Sequence, residues 1–319
     1  MAQHFLLSAK ARTLSLAKVM RLSDDEAFET FKAIRWADNG GEPWCPRCGC
    51  VAVYSYKARR IFKCKACHAQ FSVTTDTIFA SRKLALRDLL AAIAIFVNGA
   101  KGHSALQLSR DLDCQYKTAF VLAHKLREAM EAGNAGRILS GDVEVDGAYF
   151  GGYVRPENRK ADRRDRRKAE NQTGKRRVVV VMRERKGHTL PFVFKSEDQS
   201  VPTIRERVAT GSTIYADEAS SWDALHAVYE TKRVNHSVTF KDVDACTNQA
   251  ESYFSRLRRA EFGVHHHISG VYLYQYANEM AWREDQRRVS NGDQYLMVAA
   301  AAMASPVSRV WKGYWQRAQ

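Results

Sequence analysis

The sequence predicts an α/β chain in three parts: a small ribbon folded around a metal, a helical region, and a core built on a mixed sheet. Three observations carry this. Two C-x-x-C pairs stand with fifteen residues between them, helical periodicity dominates residues 84 to 130, and from Gly141 the pattern turns to strands and helices in the order β-β-β-α-β-α-β-α.

Residues 1–42 read as a helical segment with a capping box from Ser23 to Glu26. Phe28, Phe31, Ile34 and Trp36 then fall on one side of the helix, until Gly40-Gly41-Glu42-Pro43 breaks it. The ribbon follows, over 43–82. Cys45 and Cys48 form one knuckle and Cys64 and Cys67 the other, and four thiolates in this spacing close a tetrahedral site for a single structural Zn²⁺. The segment between the knuckles reads as a hairpin and HAQFSVTT as a third strand. A redox role for the pairs is the weaker reading, because two matched knuckles suit a metal better than a dithiol switch.

Over 83–135 three helices are expected: LALRDLLAAIAIFVN, a second opening at Ser104, and a third opening at Tyr116. The short link DCQ suggests a helix-turn-helix with Lys117 facing DNA, although a plain three-helix bundle reads equally well.

The core is expected over 140–290. DVEVDGAYF alternates, whereas RRVVVVMRE is continuously apolar, as a strand buried on both faces would be. HTLPFVFK, STIYADE and KRVNHSVTF supply further strands. VPTIRERVAT, SWDALHAVYE, NQAESYFSRLRRAEF and VYLYQYANEMAWREDQRR supply helices. There is no G-x-G-x-x-G after a strand and no P-loop, which removes the nucleotide-binding classes. The element order is that of a ribonuclease-H-like mixed sheet. Residues 291–319 remain as a tail.

The charge is strongly basic: 50 Lys and Arg against 35 Asp and Glu give +15. That is the balance of a protein with a polyanionic partner. It is locally concentrated between the first two core strands, where YVRPENRKADRRDRRKAENQTGKRR holds eleven basic and four acidic residues. Arg163, Arg164, Arg166, Arg167 and Lys168 of this loop are candidate phosphate contacts. Cys50, Cys114 and Cys246 show no disulfide pattern, and no apolar run is long enough for a bilayer, so a cytoplasmic protein without membrane contact is expected.

Three acids stand out. Asp146 lies in the first core strand, Asp217 ends the fourth, and Glu251 lies in the first turns of the helix after the last strand. An acid in an apolar strand is costly to bury unless it holds a cation. Two of them with a helical partner make an all-oxygen site suited to two Mg²⁺ (or Mn²⁺) acting on a phosphodiester.

These motifs together resemble a DDE transposase of a bacterial insertion sequence, of the 1595 family with its zinc ribbon. CPRCGC, FKCKACHAQFSVTTDTIFASRKL, VEVDGAYFGG, IYADEASSWDAL and TNQAESYFSRLRRAEFGVHHHIS carry the resemblance. It implies Asp146, Asp217 and Glu251 as the catalytic triad, with Asp217 and Glu251 34 positions apart. Asn248 is the second choice for the third ligand. It also implies double-stranded DNA as the partner (transposon ends and target), a DNA-end contact by Arg258, with Arg259 beside it, and a nucleoid-associated homodimer or higher oligomer on that DNA.

The sequence departs from the family pattern in two places. The acid and Thr that often follow the first Asp are Gly147 and Ala148 here, and Arg258 stands where Lys is usual. The resemblance implies 3′-end cleavage at terminal inverted repeats and strand transfer into a target. The alternative is a zinc-ribbon and helix-turn-helix regulator with a non-catalytic core. A nuclease or resolvase without strand transfer would share the triad. Of His265, His266 and His267, consecutive residues cannot easily face one ion, so a packed or DNA-facing turn is the better reading.

Overall fold

The structure is a computed structural model. It describes residues 4–152, 157–165, 168–171, 173–234 and 247–316. The chain divides into two compact units, Met1–Gly133 with Gln286–Gln319, and Asn134–Asp285.

The first unit opens with helices α1 (Leu16–Met20) and α2 (Asp24–Arg35). The expected capping box starts α2: the Ser23 hydroxyl accepts the Glu26 N–H, and the Glu26 carboxylate accepts the Ser23 N–H at 2.7 Å. The ribbon is a three-stranded antiparallel sheet of β1 (Val53–Tyr56), β2 (Ile61–Cys64) and β3 (Gln70–Ser72), in that order. Its small core is aromatic. Trp36, fully buried, meets Phe62 edge-on at 5.6 Å between ring centroids and Phe71 at 6.3 Å, so the helix that precedes the ribbon is also its lid. Arg35 fixes the fit by donating to the carbonyls of Ser72 and Thr75.

Helices α3 (Leu86–Asn98), α4 (Ala105–Asp111) and α5 (Tyr116–Ala132) follow where the periodicity predicts them. An unbroken run from Leu89 to Val97 in α3 is buried, as expected of a helix apolar all round. The link from α4 to α5 is short, but much of α5 is core: Ala119, Phe120, Ala123, His124 and Leu126 are all buried. Residues 291–319, a tail by sequence, contain a helix, Asn291–Ala304, that packs on α2, α3 and α5. Asn291 ties the two ends of the chain together. Its side-chain oxygen accepts the N–H groups of Thr13 and Leu14 at 2.8 and 2.9 Å, and its amide donates to Asn98.

The second unit is a five-stranded mixed sheet. Strands β4 (Asp142–Phe150), β5 (Arg177–Glu184), β6 (Thr189–Phe194), β7 (Thr213–Asp217) and β8 (Glu230–Val234) lie in the order β6-β5-β4-β7-β8. Strand β5 is antiparallel to both of its neighbours, β4 and β6, and β7 and β8 run parallel to β4. Helix α6 (Val201–Arg207) lies between β6 and β7, and α7 (Asn248–Ala260) and α8 (Leu273–Asp285) follow β8. The last strand begins earlier than its apolar pattern suggests, at Glu230, and SWDALHAVYE forms a 3₁₀ turn over Ser220–Ala227 in place of an α-helix.

The sheet carries a core on each face. Val143, Val145, Val178, Val180 and Met182 pack with Ile204 and Trp222 on one side. Ala148, Phe150, Val179 and Val181 pack with Tyr253, Leu257 and Met280 on the other. Strand β5 is therefore buried on both faces, as its run of valines requires. Helix α8 is latched to the sheet by Asp285, which accepts from the Thr189 N–H at 3.1 Å and pairs with buried Arg183. Among the described residues no helix is long and apolar enough to cross a membrane.

Candidate active site and metal centre

The four cysteines converge. Sγ of Cys45 lies 3.6 Å from that of Cys67, and Sγ of Cys48 lies 3.5 Å from that of Cys64. All four ligand atoms fall within 4.8 Å of one another, and among the described residues no other group of three or more His, Cys, Asp and Glu does so. The thiols share their protons unequally: against the Cys50 N–H, the thiols of Cys67 and Cys64 push the Cys48 thiol up to about 12. The N–H of Cys67, and then that of Ala66, points at Cys64 Sγ and draws its thiol down to about 6. The donor set is soft, closed and anionic, so it fits a structural Zn²⁺ with no open position.

In the second unit the strand register does the assembling. Pairing of Asp142, Val143 and Glu144 with Thr213, Ile214 and Tyr215 keeps a constant offset. Continued by two residues, it sets Asp146 beside Asp217 at neighbouring parallel strands, which run about 4.8 Å apart. Asp146 is half-buried, and its Oδ1 accepts the Gly147 N–H at 2.7 Å. Burial pushes its carboxyl up to about 6. The Gly147 N–H opposes that rise, while the charges of Asp217, Glu251 and Glu197 add to it. Asp217 is held from its own strand end: Oδ1 accepts Trp222 Nε1–H at 2.7 Å and the Ala219 N–H at 3.2 Å. Arg233 braces that turn by donating to the carbonyls of Asp217 and Ala219.

Glu251 is exposed on the first turn of α7 and shares one cleft with Asp146, Arg258 and Arg259, about 520 Å³ in volume. The seven-residue spacing brings Arg258 back to the face of Glu251. None of the other candidates among the described residues lines this cleft. Asn248 begins α7 but does not line it. Arg163, Arg164 and Lys168 are exposed on the loop after β4, and Arg166 and Arg167 lie outside the described residues, as does Cys246. Lys117 belongs to the first unit, its Nζ 5.1 Å from the centre of the Trp315 ring. His265 packs on Tyr276, with ring centroids 4.5 Å apart.

Two acids at this site escaped the sequence reading. Glu144, fully buried, stands two residues before Asp146 and so on the same face of β4. Its Oε2 accepts the N–H groups of Gln249 and Ala250, and its Oε1 pairs with Arg185 Nε at 3.0 Å. The signal was the i, i+2 spacing of two acids in an apolar strand. Glu197 follows β6 and reaches over Gly147, where a Cβ on residue 147 would sit 2.8 Å from its Oε1. Its other oxygen accepts the Ser221 hydroxyl at 3.2 Å, next to Trp222. Burial, then the charge of Asp217, raises its carboxyl above the ordinary value, while Ser221 holds it down. Nothing local in SEDQS marks that role.

Residues 138–285, nearly the whole second unit, match the ISXO2-like transposase domain, and residues 22–70 match the transposase zinc-ribbon domain. Both are domains of one family, and together they cover more than half of the chain. The chain belongs to the 1595 family of transposases. An uncharacterized protein in transposable element ISH50 of Halobacterium salinarum is 26% identical to it over 251 residues, which is 75% of this chain and 83% of that protein. No solved structure matches it.

Proposed function

We propose that the chain binds the terminal inverted repeats of its element, hydrolyses the DNA at the 3′ ends, and joins those ends to a target. Asp146, Asp217 and Glu251 are the catalytic acids of this reading. The observation that carries it is the juxtaposition of Asp146 and Asp217 on adjacent parallel strands, beside a cleft that also holds Glu251 and two arginines. The sheet order, with three antiparallel strands followed by two parallel ones, supports a ribonuclease-H-like core.

The donor set suits hard divalent cations. Four carboxylates face one region; burial first, and then the charges of Asp217, Glu251 and Glu197, raise the Asp146 carboxyl, which is the arrangement that a cation relieves. Asp146, Asp217 and Glu251 are the residues that would hold two such ions. Two Mg²⁺ (or Mn²⁺) held there would polarise the scissile phosphate and neutralise charge in the transition state.

The protein's own work is positioning. Trp222 and the Ala219 N–H orient Asp217, Gly147 N–H orients Asp146, and Glu144 fixes the start of the helix that carries Glu251. Arg258 and Arg259 supply positive charge at the cleft, where the phosphates of a DNA end would lie. The basic loop with Arg163, Arg164 and Lys168, Lys117 and the helix-turn-helix reading of α4 and α5 are further DNA contacts in this scheme. The acting form is a homodimer or higher oligomer on DNA, in the cytoplasm at the nucleoid.

The test is a cleavage assay on duplexes that carry the element's own ends. Wild type with Mg²⁺ should release 3′-OH ends, and Asp146→Asn or Asp217→Asn should bind the same duplex and not cut it. Cleavage by Asp146→Asn at the wild-type rate would end this assignment.

A further inference from the structure

A groove in the first unit has a chemistry that the triad does not use. About 340 Å³ in volume, it lies between the segment before α3, the N-terminal half of α5 and the end of the chain. Its volume falls in the range of small-ligand sites. Arg82, Lys83, Lys117, Lys125 and Lys312 line it, and among the described residues no Asp or Glu does.

The aromatic side of the groove is built in two tiers. Trp311, 3% exposed, is the anchor: it stacks on His124 at 4.2 Å between centroids with planes 23° apart, and meets Phe120 edge-on at 6.0 Å. Tyr314 packs on that anchor at 5.0 Å, and Trp315 meets Tyr314 nearly perpendicular at 5.3 Å and Phe120 at 5.9 Å, remaining 41% exposed. The Trp315 indole thus stands partly exposed among five cations, one of which, Lys117, holds its Nζ 5.1 Å from the ring centre. It matches a ligand with a flat apolar face and negative charge next to it. Bases in a duplex offer no such face to the side, because their neighbours cover it, and a groove of this size does not admit a duplex. An unpaired nucleotide offers both.

We infer that this groove binds single-stranded DNA, taking an unstacked base against Trp315 and Tyr314 and the neighbouring phosphates on Lys117, Lys125 and Lys312. The inference rests on the proposed function only in that DNA is the partner. It needs neither the triad nor divalent ions.

The experiment uses the full-length, zinc-loaded chain carrying Asp217→Asn, so that nothing is cut. A labelled oligothymidylate, which has no secondary structure, and a blunt duplex of equal phosphate number are titrated by fluorescence anisotropy. Trp315→Ala is expected to weaken oligothymidylate binding by about tenfold or more and to change duplex binding less than twofold. Trp315→Phe should restore most of the loss, which a merely structural role of the indole would not predict. Lys117→Ala should lower the salt slope on the single strand by about 0.7, the value of one phosphate contact. Equal losses on both DNAs, or an unchanged single-strand affinity, overturn the inference, as does capture of the duplex alone. Because cleavage is not measured, failure here leaves the triad assignment standing, and inactivity of the triad variants leaves this groove untouched.

Discussion

The carboxylate of Glu144 accepts the backbone N–H of Ala250 at 3.0 Å and that of Gln249 at 2.8 Å, capping helix α7 from near the start of strand β4. Thr247, in the capping position, makes no side-chain bond to the helix, so the sheet supplies what the local sequence does not. The negative charge also meets the positive end of the helix dipole. One side chain thus sets the distance between the Asp146 strand and the helix that bears Glu251.

Glu144→Gln should therefore harm the site beyond its effect on stability. It keeps the shape but removes the charge that faces Arg185 and one of the acceptor oxygens, a loss of about 2–3 kcal/mol. Denaturant unfolding should register that loss. The Mg²⁺ concentration for half-maximal cleavage should rise as well, because Glu251 is no longer held in register. A stability loss with unchanged Mg²⁺ dependence would reduce Glu144 to a core residue.

Zinc removal has a built-in reporter. Trp36 is fully buried against Phe62 and Phe71, on strands that hold or flank the cysteine knuckles. One Zn²⁺ per chain is expected by elemental analysis. Chelation, or Cys64→Ser, should release the ribbon and shift Trp36 emission to the red, while the fold of the second unit persists in near-ultraviolet dichroism. An unchanged emission spectrum after complete zinc loss would mean that the aromatic core holds the ribbon by itself.

Much of this architecture was legible in the sequence, for identifiable reasons. The cysteine spacing, the Ser23–Glu26 box and the valines of β5 act over a few residues, so their consequences can be read directly. Asp146 and Asp217 were visible because acids inside apolar strands are conspicuous. The capping of α7 by Glu144 was not, since it joins positions more than a hundred residues apart and depends on the face β4 turns to the helix. The Trp311 anchor was hidden for the same reason: Phe120 and His124 lie far up the chain, and the tail has no periodicity of its own.

The shifted carboxyl of Asp146 gives a signed pH dependence. Its proton is held up to about pH 6 in the fold, against about 3.9 in an unfolded chain. A raised acid stabilises the fold fully below about pH 4 and loses that contribution as pH rises through 6. At pH 7.5 without divalent ions, ionised Asp146 thus costs about 2–3 kcal/mol. Asp146→Asn should unfold at a higher temperature than wild type there, and the difference should vanish near pH 4. Adding Mg²⁺ should raise the melting temperature of wild type and not of the variant. Cleavage by wild type should fall as pH drops below 6, because protons then compete with the cation for the carboxylate. Equal melting temperatures at pH 7.5 would mean that burial costs the ionised carboxylate nothing.

Gly147 and Glu197 make the sharpest test of the site's local design. The family pattern often has an acid directly after the first Asp, yet this chain has glycine there. Glu197 fills the space: its Oε1 and Cγ lie 2.8 and 3.0 Å from where a Cβ on residue 147 would be. An acid is thus present beside Asp146, delivered from the end of β6 and secured by Ser221, next to the Trp222 that orients Asp217. Gly147→Ala should force the Glu197 stem aside and cost about 1–3 kcal/mol, as overpacking does elsewhere. In a Glu197→Ala background the same substitution should cost almost nothing, because its obstacle is gone. The coupling between the two sites, measured by a double-mutant cycle in denaturant, is the expected signature. The catalytic consequence separates from it: Glu197→Gln keeps the packing, so any rise in the Mg²⁺ requirement for cleavage reports the lost charge alone. Additive stability effects would mean that Glu197 does not occupy the glycine's space, and an unchanged Mg²⁺ requirement would leave it a packing residue only.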